Sequence, residues 1–357
     1  MTGLFYWLMA ILLLSLLIVV HELGHFSAAR LCGLRVVSFG IGFGPKLWSR
    51  MGKDGVQYSL RALPLGGYCR FYGEDEQVSA DAPAKAGVKP FTEKDALYRQ
   101  PVWKRAVMIA AGPLMNFALA VVVILLVYTL VGLPVADALI GTVEPGTPAE
   151  AAGLLPGDRF LEINGIAVEG VETVQEEIAK NPNAPVELLV QRGTESFTVQ
   201  ITPRYDEKQG RALIGIYFGQ KRVTIGFGEA IPYTFQSVGS MVKQIFIFLR
   251  GLITSGAGLN DMAGPIGAIS MGKEETQQNG LFAYLTMAAS ISVNLGLFNL
   301  LPIPGLDGSR LLFLALEAIR RKRIDPNKEG LVHLIGVGVL LLLMLPVYIR
   351  DILRLFQ

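Results

Sequence analysis

His21, Glu22 and His25 stand at a spacing that does chemistry. In His21-Glu22-Leu23-Gly24-His25 the two histidines are four positions apart. On a helix such residues project from one face, one turn apart, so both imidazoles reach a single metal ion. The intervening glutamate is placed to act as general base for a water activated by that metal. The chain has only three histidines, so the falling of two of them into this pattern is poorly explained by chance. A merely structural pair is the bland alternative, but ionisable groups inside so apolar a stretch are costly and are retained for function. The third, His333, has no partner at metal spacing and reads as an interfacial histidine.

A catalytic zinc takes three protein ligands and leaves a position for water. Nothing suitable follows His25 closely. Asp307 is the candidate, because it is the only acidic residue between Asn279 and Glu317 and stands at the end of an apolar run. Two imidazoles and a carboxylate favour Zn2+ among the divalent ions.

The elements that must position these groups are membrane helices. Of 357 residues, 51% are hydrophobic and 17% charged, which places the chain among membrane proteins. Four stretches, 4–20 running on toward 31, 107–131, 281–306 and 331–349, are long and nearly free of charge. At 1.5 Å per residue each spans a hydrocarbon core of about 30 Å. The expected transmembrane helices are therefore 1–32, 104–133, 280–308 and 331–351. No Lys or Arg precedes the first, and its apolar run is too long for a cleaved signal peptide. A further segment, 226–262, carries Lys243 and Arg250 near its middle and reads as an amphipathic, membrane-associated helix.

With 32 basic and 30 acidic residues the net charge is +2, so bulk charge points to no nucleic-acid partner. Its distribution says more. The loop 33–103 is rich in Lys and Arg, and the loop 309–330 contains Arg320, Arg321, Lys322 and Arg323. The positive-inside rule makes both cytoplasmic and puts the region 134–286 outside. The first and third spans then run in the same direction, so His21, His25 and Asp307 arrive near the inner face at similar depth. The two cysteines, Cys32 and Cys69, form no C-x-x-C pair and read as free thiols.

Within the outer region, 140–143, 160–163, 186–191 and 196–201 have strand character and 172–180 fits one amphipathic helix. Gly153-Leu154-Leu155-Pro156-Gly157-Asp158, followed by Ile163-Asn164-Gly165, resembles a PDZ domain of bacterial proteases, with room for one such α+β domain over 137–205. On the cytoplasmic side, 56–71 alternates apolar and polar residues before Pro64 and Gly66-Gly67, with Gly40, Gly42 and Gly44 upstream as a flexible approach. This predicts a membrane-associated β-hairpin whose edge could pair with an extended substrate or simply pack against the membrane.

Asn299-Leu300-Leu301-Pro302-Ile303-Pro304-Gly305-Leu306-Asp307-Gly308 resembles the N-x-x-P-x-P-x-L-D-G signature of the site-2 proteases, and it occurs with H-E-L-G-H in the expected order. Gly112-Pro113-Leu114-Met115-Asn116 and Asp261-Met262-Ala263-Gly264-Pro265 support the likeness; Ser309, where many members have a second glycine, departs from it. The resemblance implies zinc ligation by His21, His25 and Asp307, a catalytic base in Glu22, and a catalytic role for Asn299 in positioning substrate or holding the oxyanion. Asn116 reads as a residue that caps or joins helices, and Gly112 as one that permits close packing.

The implied protein is a polytopic α-helical membrane protein of four transmembrane helices in the bacterial inner membrane. The resemblance implies a zinc endopeptidase that would cut within the membrane spans of single-span proteins, such as an anti-sigma factor or a remnant signal peptide. Its partners would be that transmembrane substrate, membrane lipid and an exposed C-terminus at the PDZ domain. A non-enzymatic PDZ scaffold is opposed by the intact Glu22, and a metal transporter or sensor by spans nearly devoid of other polar residues.

Overall fold

The computed structural model describes residues 2–74, 90–207, 210–255, 265–324 and 326–354. Its helices are α1 (Thr2–Leu31), α2 (Val102–Val127), α3 (Pro148–Ala151), α4 (Val171–Lys180), α5 (Phe227–Ser255), α6 (Pro265–Leu300), α7 (Asp307–Arg320) and α8 (Pro326–Arg354). The strands are β1 (Val36–Met51), β2 (Gln57–Phe71), β3 (Leu133–Val143), β4 (Arg159–Ile163), β5 (Ile166–Ala167), β6 (Val186–Arg192), β7 (Glu195–Ile201), β8 (Arg204–Asp206), β9 (Arg211–Leu213) and β10 (Ile216–Val223). The chain divides into two units, Met1–Val127 with Gly228–Gln357, and Tyr128–Phe227.

Among the described residues, three helical stretches are long and apolar enough to cross a membrane: Leu8–Leu31, Val102–Gly132 and Gly280–Leu300. On α1, Leu8, Leu12 and Leu16 recur every four residues and stay exposed, whereas Leu13 and Leu17 pack with Leu119 of α2 and Ala288 and Ile291 of α6. A helix that is apolar on its free face as well as its packed face is built for lipid. The fourth expected span falls on α8, whose described apolar stretch is the shorter Glu329–Val339. The amphipathic segment corresponds to α5; its last residues and Asp261 to Gly264 lie outside the described residues.

The third span differs from its sequence reading. Helical geometry breaks at Gly280 (φ 61°, ψ −144°), and α6 ends at Leu300. Pro302 and Pro304 then lack amide hydrogens and disfavour helical backbone in the residues before them. Asp307 consequently opens α7 instead of closing the span. Gly308 makes that restart possible, because a Cβ there would lie 2.2 Å from the Leu301 carbonyl oxygen.

The strand pair β1–β2 also departs from a simple hairpin. Residues 38–41 have a neighbour on each side, pairing Phe39 with both Tyr58 and Cys69, and Gly40 with both Ser59 and Tyr68. Residues 48–51 pair with the outer side of 57–60. Both strands therefore double back, and Gly40, Gly42 and Gly44 sit inside β1 where it bends, not in a loose approach. The ribbon is anchored by a core of Ala29, Leu34, Phe39, Val56, Met108 and Leu314, which joins α1, β1, α2 and α7. Two ion pairs fix α7 further: Arg105 grips Glu317 with contacts of 3.1 and 2.6 Å, and Arg310 meets Glu74 at 2.9 Å.

The second unit is an antiparallel sheet in the order β10-β3-β4-β6-β7, with β5 on β4, closed by α4 over Ile140, Phe160, Ile163, Val174, Ile178 and Leu188. The four strands and the helix expected from periodicity are present. The sheet extends past the expected end at 205, since β10 pairs along β3 from Ile216 opposite Val143 to Val223 opposite Leu133. Buried Asp158 accepts hydrogen bonds from the Leu155 amide (2.8 Å) and from Arg192 Nε and Nη2 (2.7 Å each).

Arg105→Ala should destabilise the protein in detergent by about 3 kcal/mol, because it strands a nearly buried carboxylate, while the double change Arg105→Met with Glu317→Leu should restore much of that loss; thermal unfolding of both variants checks this. The Arg192 guanidinium beside Asp158 holds its carboxyl below the usual range. Its stabilising contribution is therefore complete above an ordinary carboxylate pKa of about 4 and is lost as pH falls through the lower folded value. Calorimetry across that acid range should show the β-rich unit of the wild type losing stability on acidification, whereas Asp158→Asn should start lower and lack that component of the acid loss.

Candidate metal centre and active site

α1 carries the histidine pair into the protein where α2 crosses it most closely. A Cβ on Gly24 would lie 2.3 Å from the Ala111 carbonyl oxygen, and one on Gly112 would lie 2.3 Å from His25 Nε2 and 2.9 Å from His21 Nε2. Only glycine at these two positions lets the helices meet while leaving room for two imidazoles, so the packing role expected for Gly112 has a specific cause. His21 and His25 are each 8% exposed.

The break after α6 brings Asp307 to the same place. Its Oδ2 lies 3.0 Å from His21 Nε2 and 3.3 Å from His25 Nε2, and the two Nε2 atoms are 3.1 Å apart. Tetrahedral zinc with bonds of about 2.0 to 2.1 Å separates its ligand atoms by about 3.3 Å. The three donors match that spacing. Asp307 Oδ2 is buried with no conventional hydrogen-bond partner, and among the described residues this is the His/Cys/Asp/Glu group able to hold a metal.

The hydrogen bond behind His25 points the same way. Its Nδ1 lies 2.9 Å from the Met108 carbonyl oxygen, which only accepts, so Nδ1 carries the proton and Nε2 offers its lone pair to a metal. The donor set, its spacing and this tautomer fit zinc.

Glu22 is half-buried beside the pair. The Cys69 backbone of β2 lies beside its carboxylate, and the α-carbon side of Gly67 faces its Cγ. The outermost segment of the doubled ribbon thus runs along the proposed base. Asn299 is half-buried in the last turn of α6, and its amide makes no hydrogen bond among the described residues, which leaves it available to another group without placing it on the triad.

Sequence reasoning missed two supports. The Met108 carbonyl belongs to the main chain and has no residue signature. His333 accepts a 2.9 Å hydrogen bond at Nδ1 from the Gly305 amide, two residues before Asp307; with no metal-spaced partner it carried no signal beyond an interfacial position. Asn116 touches the site as well, with its Nδ2 3.3 Å from His21 Nδ1. Cys32 and Cys69 are both free, as expected.

Residues 9–343 match the model of peptidase family M50. The chain belongs to peptidase family M50. This M50 peptidase is 30% identical to the regulator of sigma-W protease RasP of Bacillus subtilis, over 97% of this chain and 98% of that one. It is 30% identical to the zinc metalloprotease RasP of Oceanobacillus iheyensis, over 97% and 98%, and 33% identical to the metalloprotease MmpA of Caulobacter vibrioides, over 93% and 91%. Among solved structures, the PDZ domain of an SdrC-like protein from Listeria monocytogenes matches 24% of this chain and 88% of its own length, at 22% identity and a TM-score of 0.22. The M50 peptidase is a multi-pass membrane protein and a zinc metalloprotease.

His25→Ala and Asp307→Ala should each purify with little zinc, measured by atomic emission against the wild type; a full complement of zinc in either variant would remove that residue from the ligand set.

Proposed function

We propose that this M50 peptidase hydrolyses peptide bonds within the membrane spans of single-span proteins, with zinc held by His21, His25 and Asp307 and with Glu22 as general acid and base. The observation that carries this reading is the meeting of Asp307 with the histidine pair at metal-ligand separations on apolar helices.

Zinc so bound supplies an acidified water and polarises the scissile carbonyl. The residues of this chain do the rest. Glu22 takes the proton from the attacking water and returns it to the leaving amide nitrogen, a role in general worth about 10²- to 10⁴-fold in rate. Asn299, whose amide makes no hydrogen bond among the described residues, is proposed to hold the scissile carbonyl oxygen as charge develops on it. Removing such a donor costs about 3 kcal/mol in comparable sites.

A helical substrate keeps its carbonyls engaged and must be opened before attack. The ribbon segment 67–71 supports a way to hold the opened strand. The Phe71 N–H points away from the ladder to Glu74, and the Cys69 backbone two residues before it lies beside Glu22. By strand alternation the Gly67 backbone faces the same side, so an extended substrate pairing there would lie next to Glu22.

The full reading has four transmembrane helices, with α8 as the last, and lies in the bacterial inner membrane. The ribbon and the basic residues Arg320 to Arg323 face the cytoplasm, and the β-rich unit lies outside as a PDZ-like module for an exposed C-terminus. By likeness to a relative named for regulating sigma-W, the substrate class is the anti-sigma factor or remnant signal peptide released by an earlier cut.

Glu22→Gln should retain zinc and lose at least about 10²-fold in the cleavage of a tagged single-span substrate in liposomes. A variant that keeps both its zinc and its activity would take Glu22 out of the mechanism, and a wild type that cuts the substrate only outside its span would defeat the intramembrane reading.

A further inference from the structure

His21 and His25 are held from behind in different ways. Behind His25 stands the Met108 carbonyl, which fixes the proton on Nδ1. The group behind His21 is the side chain of Asn116, completely buried, with Nδ2 3.3 Å from His21 Nδ1. An amide N–H directed at Nδ1 requires that nitrogen to be unprotonated, which places the proton of a neutral imidazole on Nε2, the atom that faces Asp307 and His25. That tautomer cannot bind a metal through Nε2.

The other end of the same amide resolves the conflict. Asn116 Oδ1 is buried and has no hydrogen-bond partner among the described residues. Oxygen and nitrogen of a carboxamide occupy nearly equal volumes, so a half-turn about the last side-chain bond exchanges them without displacing neighbours. The turn sacrifices no bond made by Oδ1, and it gives His21 Nδ1–H an acceptor. The backbone of Asn116 stays fixed meanwhile, because its carbonyl accepts a 2.8 Å hydrogen bond from Ser292 Oγ on α6.

We propose that Asn116 is the positioning residue for His21: its side-chain carbonyl accepts the Nδ1 proton, holds the imidazole in the tautomer that directs Nε2 to zinc, and completes for His21 what Met108 does for His25. This rests on the reading of His21 as a ligand. Asn116 touches neither substrate nor metal and acts only through the ring it orients. It also lies in the segment 112–116 that sequence reading assigned to helix packing, and Ser292 ties that packing role to α6 on the main chain alone. The side chain is left for the ligand.

The test uses full-length protein in detergent, loaded with zinc and titrated with a competing chelator. Asn116→Leu keeps the shape and removes the acceptor, and it should weaken zinc retention by about 10- to 100-fold, the usual cost of losing such a support. Asn116→Asp keeps an acceptor and should stay within about threefold of wild type. Unfolding midpoints of the metal-free proteins, measured alongside, separate packing from ligand orientation. If Asn116→Leu lowers that midpoint, Asn116→Ala is compared with Asn116→Asp in the same way.

A Co2+-loaded sample adds a spectroscopic readout: its visible ligand-field bands should move in the leucine variant and hold in the aspartate variant. Equal zinc retention by Asn116→Leu and wild type would overturn the proposal, as would an aspartate variant as weak as the leucine one. His21→Ala in the same titration keeps the two claims apart, since undiminished zinc affinity there would fail the ligand assignment itself, whatever Asn116 does.

Discussion

Everything in the membrane unit answers to one constraint: three lone-pair-bearing atoms from two distant parts of the chain are held within 3.0 to 3.3 Å of one another in a nearly dry setting. Such atoms repel unless a cation or protons lie among them, and burying them without compensation is expensive. The surrounding structure supplies the compensation. Glycines at the crossing of α1 and α2 clear the volume, a main-chain carbonyl fixes one imidazole, and a helix restart delivers the carboxylate.

The way Asp307 arrives illustrates how irregular backbone is tolerated at membrane depth. Residues 301–306 are not helical, yet they are not left to lipid. The Leu301 amide donates to Phe298, the Leu306 amide to Ile303, and the Gly305 amide to His333. These freed amides find partners inside the protein, which is the condition for breaking a helix in an apolar medium. The nearly buried Arg105–Glu317 pair then ties the far end of α7, the helix that begins at Asp307, to α2.

What was legible in the sequence was local or strongly periodic. The histidine pair, the lone acidic residue after a long apolar run, the four strands of the β-rich unit and its helix all carry their own signals. What was not legible depends on pairing between distant residues. The alternation of 56–71 announces a strand but not that β1 and β2 fold over to give 38–41 two neighbours. The prolines announce a break but not that Asp307 starts the next helix. Strand β10 lies beyond any boundary drawn from turns, because only its register with β3 makes it part of the sheet. His333 showed an unpaired histidine, and its partner is a backbone amide that no side-chain pattern reveals.

The hydrogen bond from Gly305 to His333 divides the candidate metal centre into two halves of different stiffness. The histidine half rides on one continuous helix packed glycine to glycine against its neighbour and has no freedom to slide. The aspartate half lies where α6 gives way to α7 and is braced from α8 by His333 on the Gly305 amide, with Val337 against Gly305 and Gly336 seated on Pro304. A sideways displacement of α8 would therefore reach the carboxylate before either imidazole. The last helix is the handle by which lipid composition or a neighbouring protein could loosen one of the three proposed ligands while leaving the other two in place.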